Sequence, residues 1–254
     1  MKQLLHFEFR KLFRSRAFYV CLSISVAFIL ITALTMKALE PELKKFDENY
    51  QSTYTGLSML KDVFSNGQIA LLGGIMIAIL VSEDFTSDTL KNVYARGYSR
   101  QHVFYAKVIS VLSAFFIMLF ADMILSILFG TLMFDGFGTT GTNYVGAFFG
   151  ILMTSLAYFT IFFTISYLCR KLSLAITLCI VGPIAISLLL ALGDNLVSKL
   201  GDFKFTDYWL DGRLTQMAQE NVGGGQIAGA IVISVIVIAL FTCLVSLINR
   251  HRDA

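Results

Sequence analysis

Long uninterrupted apolar stretches constrain this chain more than any other feature of its sequence. Spanning a hydrocarbon layer of about 30 Å as an α-helix takes about 20 apolar residues, and six segments meet that requirement. Apolar residues make up 56% of the chain and charged residues 15%, so a soluble fold could not hide this much apolar surface. The predicted membrane spans are 17–36, 63–81, 108–134, 144–169, 172–193 and 226–248.

The spans are predicted to be α-helices, because the alternation of apolar and polar residues that marks a barrel strand is absent. The expected fold class is an all-α integral membrane protein, with a cytosolic amphipathic helix at 1–16 and one six-helix domain at 17–254. Six spans place both termini on one side, and that side holds thirteen lysines and arginines against seven on the other. Both termini are therefore expected in the cytosol. Two long outside connections, 40–62 and 194–225, are expected to contain helical stretches.

The polar residues give little support to catalysis by this chain. Its three histidines lie in predicted cytosolic segments, so no histidine at membrane depth is available as a metal ligand or general base. The four cysteines fall within spans and lack metal-ligand spacing. No glycine-rich stretch carries the Lys-Ser/Thr pair of a phosphate-binding loop. We expect no enzymatic activity, no bound metal or cofactor and no nucleic-acid partner, and any ATP must be bound by another chain.

A charged segment, SEDFTSDTLKNVYARGYSRQHVFYAK, separates the second and third predicted spans. Ser87 is suited to cap a short helix at about 87–95, and Gly97 is suited to end it in a left-handed conformation. Ser99 is suited to cap a second helix that continues into the third span. The short helix would expose one apolar face, formed by Leu90, Val93 and Tyr94.

Two interpretations of this segment remain open. Basic loop residues satisfy the positive-inside rule and contact lipid headgroups, which accounts for the charge. A short capped helix with an aromatic face is better suited to fill a groove in a soluble partner. The N-terminal LLHFEFRKLFRSR likewise predicts a basic amphipathic helix, which serves as a membrane-surface anchor, a partner contact or both. The residues singled out on this helix are Phe9, Arg10, Phe13 and Arg14.

These features together resemble the permease subunit of bacterial type-two ATP-binding-cassette (ABC) transporters, over the full length of the chain. The resemblance lies in the N-terminal EFRKLFRSRAFY and in a degenerate pattern within residues 82–107. Where that family more often has Gly before the Thr, this chain has Asp88. The residues that match the pattern are Glu83, Phe85, Thr89, Leu90, Ser99, Arg100 and Lys107.

The resemblance implies a role for the short helix. In that family a coupling helix docks into a separate cytosolic ATPase subunit, which binds ATP and Mg²⁺, and its movement tilts the adjoining spans. Glu83 would anchor the coupling helix to the second span, and Arg100 and Lys107 would anchor it to the third. Pairing of Glu83 with Arg10 or Arg14 is a further hypothesis. The residues expected to couple to the ATPase are Glu83, Asp88, Thr89, Leu90, Val93, Tyr94, Arg100 and Lys107.

The resemblance also implies the wider setting of the chain. A second permease copy, identical or related, would complete the transport path in the bacterial cytoplasmic membrane. Permeases of this build resemble subunits for the export of antimicrobial or cytolytic peptides and for immunity to them. The 23 phenylalanines suit an amphipathic or hydrophobic substrate. The alternatives are an ion-coupled secondary transporter and a membrane assembly protein that transports nothing.

One acidic residue, Asp122, lies near the middle of the third predicted span. A charge at membrane depth is costly and is by default a candidate for function, which here would be contact with a cationic substrate. The alternative is a neutral Asp that holds Ser or Thr side chains of a neighbouring helix by hydrogen bonds.

Overall fold

A computed structural model gives the arrangement of the helices. It describes residues 2–46, 55–65, 67–86, 93, 97–134, 136–138, 143–169, 171–197, 204–219 and 222–251. Nine long or medium α-helices and one 3-10 helix, Thr206–Tyr208, are found in these ranges. The α-helices are α1 (Lys2–Arg14), α2 (Arg16–Phe46), α3 (Gly56–Ser65), α4 (Gln68–Thr86), α5 (Arg100–Met133), α6 (Tyr144–Cys169), α7 (Leu172–Val197), α8 (Leu210–Ala218) and α9 (Gly224–His251).

Five helices in the described part of the chain are long and apolar enough to cross a membrane, namely α2, α5, α6, α7 and α9. They correspond to five of the six predicted spans. The predicted helical stretches of the two long connections are also present, because α2 continues to Phe46 and α8 lies within the second connection. The apolar runs alone are sufficient to locate these helices, because segments of about 20 residues rarely lack polar side chains unless lipid or protein surrounds them.

The second predicted span, 63–81, is not one continuous helix, which corrects the sequence prediction. α3 ends at Ser65, α4 begins at Gln68, and Gly67 between them has a φ of 68°. Glycine adopts this left-handed conformation at little cost, and the conformation ends the run of helical hydrogen bonds. The Asn-Gly pair at 66–67 is a turn-forming dipeptide, which the surrounding apolar residues concealed.

α4 occupies the centre of the bundle, where it packs against α2, α5, α6 and α7. Most of its described side chains are buried, and Met76, Ile77 and Ala78 have no exposure at all. A helix that is apolar on every side is expected to be enclosed by other helices. α7 and α9 are different, because they expose long rows of Leu, Ile and Val side chains. Such rows are suited to contact with lipid tails or with another chain.

The short helices α3 and α8 lie together at the end of the bundle where α4 and α9 begin. α3 packs against α5 and α8, and α8 packs against α6 and α9. Gly130 permits the close crossing of α5 and α3, because a Cβ at this position would lie 2.6 Å from the Gly56 Cα. The buried Lys61 joins the two short helices by donating a hydrogen bond to the Gln219 carbonyl at 2.8 Å.

Candidate functional site

Two acidic and two basic side chains form a compact charged cluster where α1, α4 and α5 meet. Lys107 Nζ of α5 lies 2.5 Å from Asp84 Oδ2 of α4 and 3.4 Å from Glu8 Oε2 of α1. Lys11 of α1 forms a second ion pair with Asp84. The side chains of Asp84, Glu8 and Lys107 are 6%, 8% and 12% exposed, so these charges neutralise one another in a largely dry site. Within the described ranges, no three His, Cys, Asp or Glu side chains come close enough to hold a metal ion.

The sequence of α1 explains how two members of the charged cluster reach it. Glu8 lies one turn from Leu4 and one turn from Leu12, and these three side chains form the buried face of the helix. Lys11 follows Glu8 by three residues and therefore projects from the same side. Burial raises the pKa of Glu8, whereas the charge of Lys107 acts in the opposite direction.

The charged cluster lies beside the polar segment that the sequence singled out. α4 ends at Thr86 and α5 begins at Arg100, so the residues between them connect the two helices that Asp84 and Lys107 join. Lys107 was expected to anchor this segment to α5, and the structure shows that its partners are Asp84 and Glu8. The side chain of Arg100 lies outside the described residues.

The end of the polar segment has the local structure that the sequence predicts. Gly97 has a φ of 82°, the left-handed conformation expected after a short helix. Ser99 is the N-cap of α5, and its side-chain oxygen accepts a hydrogen bond from the His102 backbone N–H at 3.4 Å. The left-handed conformation of Gly97 and the Ser99 cap are therefore confirmed, because each depends on local backbone geometry rather than on distant contacts.

The predicted coupling residues Asp88, Thr89, Leu90 and Tyr94 lie outside the described residues. Val93 is described, and it is helical and half-buried. It packs against a small apolar cluster on α1 and α5, so only part of its side chain is left for the exposed apolar face that the sequence predicts. Burial is favoured here because α1 lies over the start of α5 and leaves apolar surface for Val93 to cover. The members of the small cluster are Leu4, Val103 and Ala106.

Glu83 and Asp84 are adjacent in sequence but have different surroundings. Glu83 is exposed, whereas Asp84 is buried in the charged cluster. The ion pair that joins α4 to α1 in the described structure is formed by Asp84 with Lys11. Arg10 and Arg14, the partners that the sequence suggested for Glu83, are exposed on the other side of α1. The described contact between α4 and α1 is therefore made by Asp84, and the anchoring of residues 87–95 by Glu83 stays a prediction.

The aromatic residues predicted to contact a membrane or partner surface are divided between two environments. Phe9 is half-buried and packs against the main apolar core of the bundle, whereas Phe13 is 50% exposed and stacks on Phe9 with ring centroids 6.5 Å apart.

The buried face of α1 does not consist of apolar residues alone, because it includes Glu8. The ion pair with Lys107 compensates for the burial of this carboxylate.

A comparison with protein families identifies the class of this bundle. The family model described as "ABC-2 family transporter protein" matches residues 4–186, more than two thirds of the chain, including the whole charged cluster. The chain belongs to the ABC-2 transporter family. Searches of curated proteins and of solved structures found no match. This ABC-2 protein is therefore a multi-pass membrane permease of an ABC transporter, and its family implies pairing with an ABC ATPase subunit.

Asp122 of the permease is fully buried within α5. The buried Ser25 of α2 faces its carboxyl group, but neither carboxyl oxygen has a hydrogen bond of normal geometry within the described residues. The described residues also form no ion pair with Asp122. An ionised carboxylate in such a site would be very costly, so this geometry favours a neutral acid between α2 and α5 over a contact for a cationic substrate.

Proposed function

We propose that this ABC-2 permease forms half of the translocation path of an ATP-driven exporter and that a separate ATPase drives it through residues 87–95. The charged cluster of Glu8, Lys11, Asp84 and Lys107 carries this proposal, because it joins α1 to both helices that flank this segment. The ATPase subunit binds ATP and Mg²⁺, and the permease chain itself binds no cofactor and catalyses no reaction.

The charged cluster provides a physical route for coupling. Removing one partner from a buried ion pair typically costs about 3–5 kcal/mol, so Asp84 and Lys107 resist separation. A push on the segment between α4 and α5 would therefore move both helices together, and α1 with them. α4 continues from Asp84 through the centre of the bundle, so displacement at this end would reach the opposite end of the permease.

α4 is the remaining membrane span in this proposal. Its 19 residues extend about 28 Å, close to the roughly 30 Å of a bilayer's hydrocarbon core. Together with α2, α5, α6, α7 and α9, it makes six spans with both termini in the cytosol. The exposed rows of α7 and α9 supply surface for lipid and for a second permease copy, identical or related, in the bacterial cytoplasmic membrane.

The proposed substrate is an amphipathic peptide of the antimicrobial or toxin class, or another hydrophobic compound. The resemblance to peptide-export and immunity permeases suggests it. A cleft of about 580 Å³ between α5, α6 and α9 is consistent with it, since sites for small organic ligands occupy about 300–1,000 Å³. The aromatic residues of the cleft are Phe104, Tyr105, Phe159 and Phe163.

Copurification tests the proposed ATPase contact. The permease is expressed with a candidate ABC ATPase subunit from the same organism, as wild type and with the paired changes Leu90→Asp and Tyr94→Asp. The matched control carries Phe137→Asp and Tyr208→Asp, two exposed aromatic residues in the segments expected outside. The wild type and the control should retain the ATPase, and the Leu90/Tyr94 variant should lose it, because a carboxylate in an apolar groove is desolvated without a partner.

Either of two results would contradict the proposal. The ATPase could fail to associate with the wild type, as expected of a secondary transporter or an assembly protein. Alternatively, the Leu90/Tyr94 variant could bind it as well as the control does. In the second case the ATPase would contact another surface of the permease, and the segment between α4 and α5 would have no coupling role.

A further inference from the structure

A second polar group lies in the described structure at the end of α4 opposite to Asp84. The Asp211 carboxylate of α8 accepts hydrogen bonds from the hydroxyl of Tyr158 in α6 and from Ser187 Oγ in α7, the latter at 2.6 Å. Both donors are uncharged, and no described residue forms an ion pair with Asp211. Among the described residues, the negative charge is therefore oriented by two neutral groups and is not balanced by a cation.

The described basic residues of α3 and α8 are engaged elsewhere. Arg213 follows Asp211 by two residues, which places it on a different side of α8. Its guanidinium lies against Gly229 of α9 and 5.2 Å from the ring centroid of Tyr208. Lys61 donates to the Gln219 carbonyl and lies over the Tyr144 ring. Neither cation is available to Asp211 in this arrangement.

Asp211 lines a cavity of about 420 Å³ between α4, α6, α7 and α8. This volume lies within the range of about 300–1,000 Å³ that is usual for ligand sites. Most of the described wall is apolar, and Asp211 is the charged residue among the described lining residues. A carboxylate that faces an apolar cavity without a paired cation favours a ligand that brings both a cation and an apolar part. Apolar lining residues include Leu71, Phe162, Pro183, Ile184 and Leu188.

We infer that this cavity binds an apolar peptide segment that carries Lys or Arg, with the cation of that side chain paired to Asp211. The inference rests on the proposed function as a peptide exporter and narrows its substrate class to cationic amphipathic peptides. A lipid amine fits less well, because its headgroup also carries a phosphate, which the Asp211 carboxylate repels. A peptide cation on a long aliphatic side chain has no such neighbouring anion.

The position of the cavity connects it to the charged cluster. Gly67 and Leu71, at the start of α4, form one part of its wall, and Asp84 lies near the other end of the same helix. Displacement of α4 by the ATPase would therefore change the shape of the cavity. This change provides a way to release a bound peptide after each cycle.

Trp209, the single tryptophan of the chain, precedes Asp211 by two residues and gives a fluorescence signal for binding at the cavity. The full permease in phosphatidylcholine vesicles is titrated with a tryptophan-free helical peptide of leucine and lysine. A second titration uses the same peptide with glutamine at every lysine position. The wild type should bind the lysine peptide about tenfold more tightly, and Asp211→Asn should reduce this preference to about twofold or less.

Three further variants separate recognition of charge from the support that Asp211 gives to α8. Tyr158→Phe and Ser187→Ala each remove one hydrogen bond that orients the carboxylate but keep its charge, so each should reduce the preference for the lysine peptide less than Asp211→Asn does. Asp194→Asn removes an acid that accepts hydrogen bonds from Thr206 and does not line the cavity. This variant should bind as the wild type does.

Several results would overturn the inference. Asp211→Asn could retain the preference, or Tyr158→Phe and Ser187→Ala could lose it equally, which would show that the carboxylate acts only by holding α8. Equal binding of both peptides by the wild type would indicate that the cavity is filled by lipid tails or by a second permease copy. Loss of the preference for the lysine peptide when phosphatidylethanolamine replaces part of the phosphatidylcholine would show that the cavity binds a lipid amine instead. The assay contains no ATPase, so failure of the coupling proposal would not affect it.

Discussion

Asp84 and Asp211 lie near opposite ends of the bundle and differ in the groups that surround them. Asp84 is paired with Lys11 and Lys107. Asp211 accepts hydrogen bonds from the hydroxyls of Tyr158 and Ser187 and pairs with no described cation. The charge of Asp84 is balanced by lysines of the same chain, so Asp84 can hold helices together without a ligand. The carboxylate of Asp211 is held in place by hydroxyl groups, and we propose that its charge is paired with a cation of the ligand.

The largest effect on stability is expected from removing a lysine of the charged cluster around Asp84. Lys107→Met leaves the carboxylates of Glu8 and Asp84 with Lys11 as the remaining cation of the cluster. Because both acids are buried, the free energy of unfolding should fall by about 3–5 kcal/mol. The fall would be measured as a lower melting temperature of the purified permease in detergent.

Two variants control this experiment. Lys171→Met removes an exposed lysine and should leave the melting temperature nearly unchanged. Adding Glu8→Gln to Lys107→Met removes the surplus carboxylate and should recover part of the loss, since the two residues interact directly. A melting temperature for Lys107→Met equal to that of the wild type would show that the cluster does not join the helices.

A smaller loss is expected at the end that contains Asp211. Tyr158→Phe removes one hydrogen bond to a charged group, which is worth about 1.5–3 kcal/mol, and leaves the apolar ring in place. The control is Tyr105→Phe, since Tyr105 is 56% exposed. The comparison between the two ends would break down if Tyr158→Phe lowered the melting temperature as much as Lys107→Met does.

The turn beside the cavity offers a conformational test. Gly67→Ala places a side chain in the left-handed region and should destabilise the permease by about 1–2 kcal/mol, although its Cβ would meet no neighbour. Gly182→Ala also places its Cβ in open space, but in the interior of α7, where alanine is favoured over glycine by about 1 kcal/mol. A stabilising Gly67→Ala change would indicate that α3 and α4 form one helix.

The smallest expected effect is a pH dependence of stability that arises from Glu8 in the charged cluster. Burial raises the pKa of Glu8 above its usual 4.5, so protonation of this group favours the folded state. Its contribution to stability is fully present below about pH 4.5 and is lost as the pH rises through the raised pKa of the folded state. The melting temperature of Glu8→Gln, relative to the wild type, should therefore rise with pH. The opposite trend would mean that Lys107 outweighs burial.

Local signals in the sequence were sufficient for much of the fold. Twenty-residue apolar runs locate α2, α5, α6, α7 and α9, because lipid selects for such runs. Gly97 and Ser99 mark the approach to α5, because caps and left-handed glycines depend on a few adjacent residues. The Asn-Gly pair at 66–67 indicates the break at Gly67, whereas the apolar residues on both sides of it predict one continuous span.

The two acidic sites required the tertiary structure. The cluster joins Asp84 to Lys11 across 73 positions of sequence, and no local pattern distinguishes buried Asp84 from exposed Glu83 beforehand. Asp211 is joined to Tyr158 and Ser187 across 53 and 24 positions. Glu8 gave one usable signal, since it shares a helical face with Leu4 and Leu12 and must be paired if that face is buried.

The most direct test of the account is the rate of ATP hydrolysis by the permease–ATPase complex with Asp84→Asn or Glu83→Gln in the permease. The adjacent acids provide a matched pair, one buried in the charged cluster and one exposed. We predict that both complexes assemble, that Asp84→Asn lowers the rate towards that of the isolated ATPase subunit, and that Glu83→Gln, which lies outside the charged cluster, lowers it less. An unchanged rate with Asp84→Asn, or an equal loss with Glu83→Gln, would contradict coupling through the cluster.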